Sequence, residues 1–339
     1  MTNLTMELFG SNWLSIMATG FFVGTIVGLT GMGGGALMTP ALIFLGVGDP
    51  STVVTADLTA AAVYKSGGAA VHWREGSPNL RLAAWLIAGS VPFALLGPYL
   101  VRAVAADSEE SVDQVLLVCI GVALLVAAST YALRLYIQLR HVRSNREPHL
   151  TDPRIRPLPT FLVGAVGGLL VGITSVGSGS VIMVALLMLY PGLSAVKLVG
   201  TDLVQAVPLV LAAAISNIAI NGLDWSITLP LILGSVPGSM LGSRIAPRVP
   251  QSVIRRGIVI VLTMSGVALL DKSGWAPLGA GKDDTHPYLI AGIGIAMLVL
   301  VPLVWGVLRK GVGLPMFGSP TVAEIEGEKP RRTTPRCPR

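Results

Sequence analysis

Charged residues are scarce in this chain of 339 residues, and their scarcity excludes several classes of protein. Only 12% of the residues are Asp, Glu, Lys or Arg, whereas a soluble globular protein carries about 25%. A water-soluble enzyme, a nucleic-acid-binding domain and a disordered protein are therefore excluded. The two cysteines, Cys119 and Cys337, are too few for a disulfide framework. The first ten residues lack the basic segment of a cleavable signal peptide, so the first apolar run is interpreted as a retained membrane span.

Apolar residues are abundant instead. They make up 52% of the chain, and the mean hydropathy is +0.72. Because about 20 apolar residues cross the hydrocarbon core of a bilayer, the chain can hold about eight or nine transmembrane helices. The 40 glycines and 23 prolines indicate close helix contacts and interrupted helices. The composition predicts an all-α polytopic membrane protein.

The apolar residues fall into runs that predict the individual helices. The runs cover 11–30, 35–46, 52–72, 80–102, 113–138, 158–175, 178–190, 196–220, 226–246, 252–271 and 286–308. Two of them, 35–46 and 178–190, are too short to cross a bilayer upright, so each is expected either to be re-entrant or to span as a helix of its own. The predicted units are a first membrane repeat (11–138), a basic linker (139–157), a second membrane repeat (158–271), an additional transmembrane helix (286–310) and a disordered tail (311–339).

The charges of the loops predict the orientation in the membrane, since Lys and Arg are concentrated in cytoplasmic loops. The connection 134–157 contains six arginines and the segment 244–256 contains four, so both are expected in the cytoplasm. The loop 103–113 has four acidic residues and no Lys or Arg, which favours the opposite side. The alternation places the N-terminus outside and the C-terminus in the cytoplasm, in the cell inner membrane.

An internal repeat is the strongest feature of the sequence. The segment 24–35 aligns with 168–179 at an offset of 144 residues, and after one inserted residue the match continues at an offset of 145. Asp57 then aligns with Asp202, and a Gly-Ser-Val-Pro sequence recurs at the same offset. A constant register over this distance indicates a duplication. Because corresponding loops are predicted on opposite sides, the two copies are expected to form an inverted repeat, an architecture typical of secondary transporters.

Each repeat contains a cluster of glycine and serine between two apolar runs. Glycine lets the backbone turn sharply and leaves amide N–H groups uncovered at the start of the next helix, where the helix dipole attracts an anion. The predicted substrate-binding residues are Thr30, Gly31, Gly33, Gly34, Gly35, Thr174, Ser175, Gly177, Ser178, Gly179 and Ser180. The simpler alternative is close helix packing, which we favour for the Gly-xxx-Gly series at 20–28 and 164–172.

Four polar residues within apolar runs are candidates for coupling or charge compensation: Asp57, Lys65, Asp202 and Gln205. Ionisable groups at membrane depth are costly and often functional, and protonation of a carboxylate can couple anion movement to protons. The alternatives are a wet position near a helix start for the two aspartates, a contact between helices for Gln205, and snorkelling to the cytoplasmic face for Lys65. Lys65 follows Asp57 by eight residues and lies about 80° round the helix from it.

Chemistry of other kinds has no support in the sequence. The chain contains no metal-ligand spacing, no nucleotide-binding loop and no nucleophile–base pair. We therefore expect no enzyme activity, no cofactor, no resident metal and no nucleic-acid partner. The expected partners are a small anionic substrate and the lipid bilayer, and homo-oligomerisation is left open.

The repeated motif resembles a known family. Gly-Leu-Thr-Gly-Met-Gly-Gly-Gly-Ala-Leu-Met-Thr-Pro at 28–40, followed by Ala56-Asp57-Leu58 and by the second copy at 168–203, is similar to the sulfite exporter TauE/SafE family of bacterial and archaeal membrane proteins. The resemblance implies an inner-membrane permease that exports sulfite or small organosulfonates, or moves related sulfur-containing anions. The second copy has Val184 in place of Pro40 and serines in place of glycines, so an asymmetric site is expected.

Two hypotheses for the function result. The first is a secondary transporter that exports sulfite or an organosulfonate by alternating access of two inverted repeats, with coupling to protons left open. The second is a cation or metal-ion carrier whose site is formed by Asp57 and Asp202.

Overall fold

The structure, a computed structural model, is built from α-helices. It describes residues 12–30, 34–74, 78–105, 108–143, 155–177, 179–190, 193, 195–246, 251–274 and 287–311. Within these ranges there are eleven helices and no strand: α1 (Trp13–Thr30), α2 (Gly35–Leu45), α3 (Pro50–Arg74), α4 (Leu80–Val104), α5 (Glu109–Arg143), α6 (Pro157–Thr174), α7 (Val181–Leu189), α8 (Ala195–Asn221), α9 (Trp225–Ile245), α10 (Gln251–Lys272) and α11 (Pro287–Gly311). The predicted all-α architecture is confirmed.

The bounds of the helices follow the apolar runs to within a few residues, except after the fifth run. There α5 continues to Arg143 and includes the first residues of the predicted linker 139–157. The segment 139–143 contains neither Gly nor Pro, so nothing in it interrupts the helix. Residues 144–154 of the linker and the predicted tail after Gly311 lie outside the described residues.

Six helices of the described chain are long and apolar enough to cross a membrane: α1, α4, α5, α6, α8 and α9. Large apolar side chains on these helices face outwards; Phe22 is 66% exposed and Ile215 62% exposed, as expected of surfaces in contact with lipid. The chain is therefore a multi-pass membrane protein. Helices α3, α10 and α11 have 25, 22 and 25 residues and are not among these six, so the count of eight or nine spans stays a prediction.

Helices α2 and α7 are the two short ones. They have 11 and 9 residues, which correspond to about 16 and 14 Å of helix. Since the hydrocarbon core is about 30 Å thick, neither helix is long enough to cross it. Each comes next in the chain after a long helix, α1 or α6, and each is packed within the protein.

Equivalent residues begin the fourth helix of each repeat. Asn79 precedes α4 and its side chain accepts a hydrogen bond from the amide of Leu82 at 3.2 Å. Asp224 precedes α9 and accepts from the amide of Ser226 at 2.8 Å. Asn and Asp are favoured at this position because they satisfy an amide that the helix leaves without a partner. The two helices therefore start at the same place in the duplicated sequence.

The first helix of each repeat packs against the fourth helix of the other: α1 lies against α9, and α6 lies against α4. A Cβ atom added at Gly24 would meet the main-chain O, Cα and C of Ser235, and one added at Gly168 would meet the same three atoms of Ser90. Gly234 and Gly238 of α9 approach the backbone of α1 in return. Such contacts require glycine, and they confirm that the Gly-xxx-Gly series serve close helix packing.

The centre of the bundle is formed by α3 and α8, which pack against each other and against α9 and α4 respectively. Each of these four helices carries fully buried apolar side chains, among them Leu58, Leu86, Leu209 and Leu231. Helix α5 packs against α10, and α11 packs on the outside of α10. This arrangement places the third helix of each repeat, and the aspartate on each, in the interior.

Candidate functional site

The break between α6 and α7 has an unusual backbone. Helix α6 ends at Thr174, and the next residue, Ser175, has a φ of 59°. Ser175 is the only non-glycine residue with positive φ in the described ranges of the chain. This conformation costs a side-chain-bearing residue about 1–2 kcal/mol, and such strain is concentrated at functional sites. Gly177, with a φ of 121°, completes the turn in a conformation that only glycine adopts readily.

In each repeat a short helix follows a long one, and the point between the two is here called a break. The two breaks meet inside the protein. A Cβ atom added at Gly35, the first residue of α2, would overlap the main-chain oxygen of Ser175 and would lie 2.7 Å from its Oγ. Both residues are buried, and Ser175 is 5% exposed. Because only glycine permits this approach, Gly35 and Ser175 bring the start of α2 to the end of α6. The described residues around these two points are here called the break cluster: Gly34, Gly35, Thr174, Ser175, Gly177, Gly179 and Ser180.

The break cluster also supplies hydrogen-bond donors. The amide of Gly34 donates to the hydroxyl of Tyr64 at 3.2 Å. Ser180, directly before α7, is 3% exposed, and its Oγ has no hydrogen-bond partner within the described part of the chain. A buried hydroxyl without a partner is costly, and it is the kind of donor that an anion would satisfy.

Two of the predicted donors are used elsewhere. The Oγ1 of Thr30 donates to the carbonyl of Ile26 at 2.8 Å, and the Oγ1 of Thr174 donates to the carbonyl of Leu170 at 2.6 Å. Each hydroxyl proton is thus shared with the last turn of its own helix, a common arrangement for threonine in membrane helices. The predicted residues Gly31, Gly33 and Ser178 lie outside the described residues.

The four polar residues from the third helices lie close to one another in the interior. Asp57 is 0% exposed, Asp202 3%, Gln205 0% and Lys65 6%. Both carboxylates lie close enough to act electrostatically on Lys65. The Nε2 of Gln205 donates to Oδ1 of Asp202 at 3.1 Å. The burial of all four side chains contradicts a wet interfacial position for the aspartates and snorkelling of Lys65. Helices α3 and α8 pack against each other and enclose them.

Asp57 connects the charged residues to the break cluster. Its Oδ2 accepts a hydrogen bond of 2.6 Å from the Oγ1 of Thr39 on α2, and the hydroxyl of Ser175 lies near the same carboxylate. The other oxygen, Oδ1, accepts no hydrogen bond within the described residues. Asp57 thus lies between elements of both repeats. One of its oxygens accepts a hydrogen bond, and the other accepts none from the described residues.

Two residues of this site were not predicted from the sequence, Thr39 and Tyr64. Thr39 lies in the apolar run that follows the first glycine cluster, and it could have been found as the hydroxyl residue of that run. Tyr64 follows Asp57 by seven residues, or about two helical turns, so the two share a face of α3. Helical spacing from Asp57 is the signal that would have identified Tyr64.

Comparison with known proteins gives the family of the chain. The model of the family described as sulfite exporter TauE/SafE matches residues 16–269, which include nearly all of both repeats and the whole site. The chain belongs to the sulfite exporter TauE/SafE family. The match ends before α11, so the last helix and the residues that follow it are additional to the family region.

Two proteins of Bacillus subtilis (strain 168), each described as a probable membrane transporter protein, are similar to the chain. YjnA is 36% identical over 257 residues, which cover 76% of this chain and 99% of YjnA. YdhB is 25% identical over 250 residues, which cover 74% of this chain and 97% of YdhB. No solved structure matches the chain. Family membership and the helices together make this protein a membrane transporter of the TauE/SafE family.

Proposed function

We propose that the protein is a secondary permease for small sulfur-containing oxyanions, such as sulfite or an organosulfonate, which it exports from the cell across the inner membrane. The observation that carries this proposal is the meeting of Gly35 and Ser175 in the interior, beside the buried charges of the third helices. An oxyanion needs several donors in a small volume, and helix starts and hydroxyls provide them without a large fixed charge.

The packing supports alternating access of two inverted repeats. The same glycine contacts occur between α1 and α9 and between α4 and α6, as expected if a pseudo-twofold axis relates the copies. The central pair α3 and α8, which would lie on that axis, carries Asp57 and Asp202. In transporters of this architecture the substrate site lies where the repeats meet, and one repeat moves against the other around it.

The alternative, a cation or metal-ion carrier built on Asp57 and Asp202, is less well supported. Lys65 acts electrostatically on both carboxylates, so a fixed positive charge already lies where the cation would bind. A second cation would have to overcome that repulsion in a medium of low dielectric constant. A thermal-shift screen with sulfite, methanesulfonate and divalent metals separates the two functions, and stabilisation by metals alone would overturn the anion permease.

Flux of radiolabelled sulfite from loaded proteoliposomes tests the proposal directly. The wild type should give saturable efflux well above that of protein-free liposomes. Replacement of Gly35 by alanine places a methyl group on the Ser175 carbonyl and should lower the flux by at least about tenfold, since displacement of a binding group by about 1 Å is enough for losses of that size.

The matched control is Gly67→Ala. Gly67 lies on α3, and an added Cβ meets no atom within 4 Å. Its flux should equal that of the wild type. Absence of sulfite flux in the wild type, or full flux in the Gly35→Ala variant, would contradict the proposed permease site.

A further inference from the structure

The two buried aspartates, although equivalent in the duplication, have different surroundings. Asp202 has Gln205 as a hydrogen-bond donor on its own helix, at 3.1 Å, and both carboxylates lie near Lys65. Asp57 has the hydroxyl of Thr39, lies near that of Ser175, and has one oxygen that accepts no hydrogen bond among the described residues. One lysine thus lies near two carboxylates, and Asp57 has an oxygen that no described donor satisfies.

The net charge of the two aspartates and the lysine determines how well an anion can bind beside them. With both carboxylates ionised, Asp57, Asp202 and Lys65 together carry a net charge of −1 in a buried volume. A negative cluster of this kind repels an anion in the neighbouring break cluster, and the repulsion is strong at low dielectric constant. One proton on Asp57 makes the cluster neutral and removes the repulsion.

Hydrogen bonding leads to the same result independently. An ionised Asp57 can only accept, so it competes with the substrate for the hydroxyl proton of Ser175. A proton on Oδ1 turns this oxygen into a donor, and the neutral carboxyl is a weaker acceptor, so Ser175 can donate to the anion instead. Protonation therefore adds donors to the break cluster at the same time as it removes the negative charge.

We propose that Asp57 is the proton-coupling residue of the permease: the anion binds in the break cluster together with one proton on the Asp57 carboxyl, while Asp202 remains ionised as the partner of Lys65. The inference rests on the proposed anion permease and assigns its coupling ion. Proton and anion then move in the same direction. A divalent anion with one proton still carries net negative charge, so an inside-negative membrane potential favours its outward movement.

Other ionisable groups around Asp57 do not offer a second proton site of this kind. Helix α2 has no ionisable side chain. The elements packed on α3 carry further ionisable side chains in the described part of the chain. Tyr64 and Lys65 lie on α3 itself and Asp202 on α8, and all three are buried. The others are half-buried or exposed: Lys197 on α8, Glu110, Asp113 and Cys119 on α5, and Arg244 at the end of α9. Tyrosine and cysteine are ordinarily uncharged at neutral pH, and arginine does not titrate. Among the described residues of these elements, Asp57 and Asp202 are the two buried carboxylates, and the assignment is made between them.

Calorimetry on the purified full-length protein tests the proposal. The probe is methanesulfonate, an anion that does not itself titrate in the range used, measured in two buffers of different ionisation enthalpy at the same pH. The wild type should take up about one proton per bound anion, and its affinity should increase by up to about tenfold for each unit by which the pH falls. Infrared difference spectra should show a protonated carboxyl band that appears with the anion.

Asp57→Asn is the informative variant, since an amide resembles the protonated acid. It should bind methanesulfonate with no proton uptake, with no pH dependence and without the infrared band. The matched control Asp224→Asn changes an exposed aspartate to another good helix cap and should behave as the wild type.

The possible results separate the two levels of the proposal. Anion binding by the wild type without proton uptake overturns the coupling role of Asp57 and leaves the permease intact; this measurement does not depend on whether the variant folds. Unchanged proton uptake in Asp57→Asn overturns the assignment as well. Absence of binding of both methanesulfonate and sulfite at every pH overturns the permease itself, and the coupling proposal with it.

Discussion

The glycine contacts between the repeats predict that equivalent glycine substitutions in the two repeats lower the stability of the protein equally. Gly24→Ala on α1 and Gly168→Ala on α6 place a methyl group on the same three main-chain atoms, those of Ser235 and Ser90 respectively. At Gly24 the added carbon would lie 2.6 Å from the carbonyl oxygen and 2.9 Å from the Cα of Ser235. Neither atom can rotate away, so the helices must move apart by roughly 0.5–1 Å to reach ordinary contact distance.

The expected loss of stability follows from two opposing terms. Overpacking against a rigid neighbour costs about 1–3 kcal/mol, while alanine recovers about 1 kcal/mol of helix propensity. The control Gly67→Ala gains the propensity and meets no atom within 4 Å. Each variant should therefore be about 1–3 kcal/mol less stable than the control. At about 2–4 °C per kcal/mol, the apparent Tm should differ by about 2–12 °C.

Thermal unfolding in detergent, followed by intrinsic fluorescence, measures this difference. The two variants should fall below the control by similar amounts, because the contacts involve the same atoms. If both variants were as stable as Gly67→Ala, the close approach of the helices would be wrong. If only one lost stability, the equivalence of the two contacts would be wrong.

Three further substitutions test single interactions by the same unfolding measurement. Tyr64→Phe removes the acceptor of a buried amide and should cost about 1–3 kcal/mol, whereas Tyr99→Phe, at an exposed position, should cost almost nothing; equal values would contradict the hydrogen bond. Asn217→Leu removes a donor to the buried carbonyl of Gly172, 3.0 Å away, and should cost a similar amount, so an unchanged Tm would show that the bond contributes nothing. Asp224→Ala should lose about 1 kcal/mol of capping that Asp224→Asn retains, and identical stabilities would exclude the cap.

The helices could be predicted from the sequence because the signals for them are local. An apolar run must be as long as the bilayer is thick, and it ends where Gly, Pro or charged residues begin. The run 80–102, for example, corresponds to Leu80–Val104 in the structure. The spacing of the glycines likewise predicted close contacts between helices, but spacing alone does not identify the partner helix. That α1 packs on the fourth helix of the other repeat depends on how all the helices fit together.

The site was predictable only in part, for the same reason. The duplication identified Asp57 and Asp202 as a pair, but not the packing of α3 on α8 that buries both. Lys65 was therefore left between two interpretations, since its distance from Asp202 cannot be derived from helical periodicity. The hydroxyl of Thr30 was expected to face the substrate, but the carbonyl of its own helix four residues earlier is a nearer acceptor.

The asymmetry of the site explains why a symmetric scaffold would carry one coupled proton and not two. At the offset of the duplication, Lys65 corresponds to Val210 and Thr39 corresponds to Met183. Had the lysine been duplicated, two cations would have balanced both carboxylates, and neither would have needed a proton to accept an anion nearby. Had it been absent, two buried carboxylates would have required two protons to reach neutrality. A single lysine near two aspartates leaves one unbalanced charge, and the oxygen of Asp57 that accepts no hydrogen bond among the described residues is the reason to propose that Asp57 carries it.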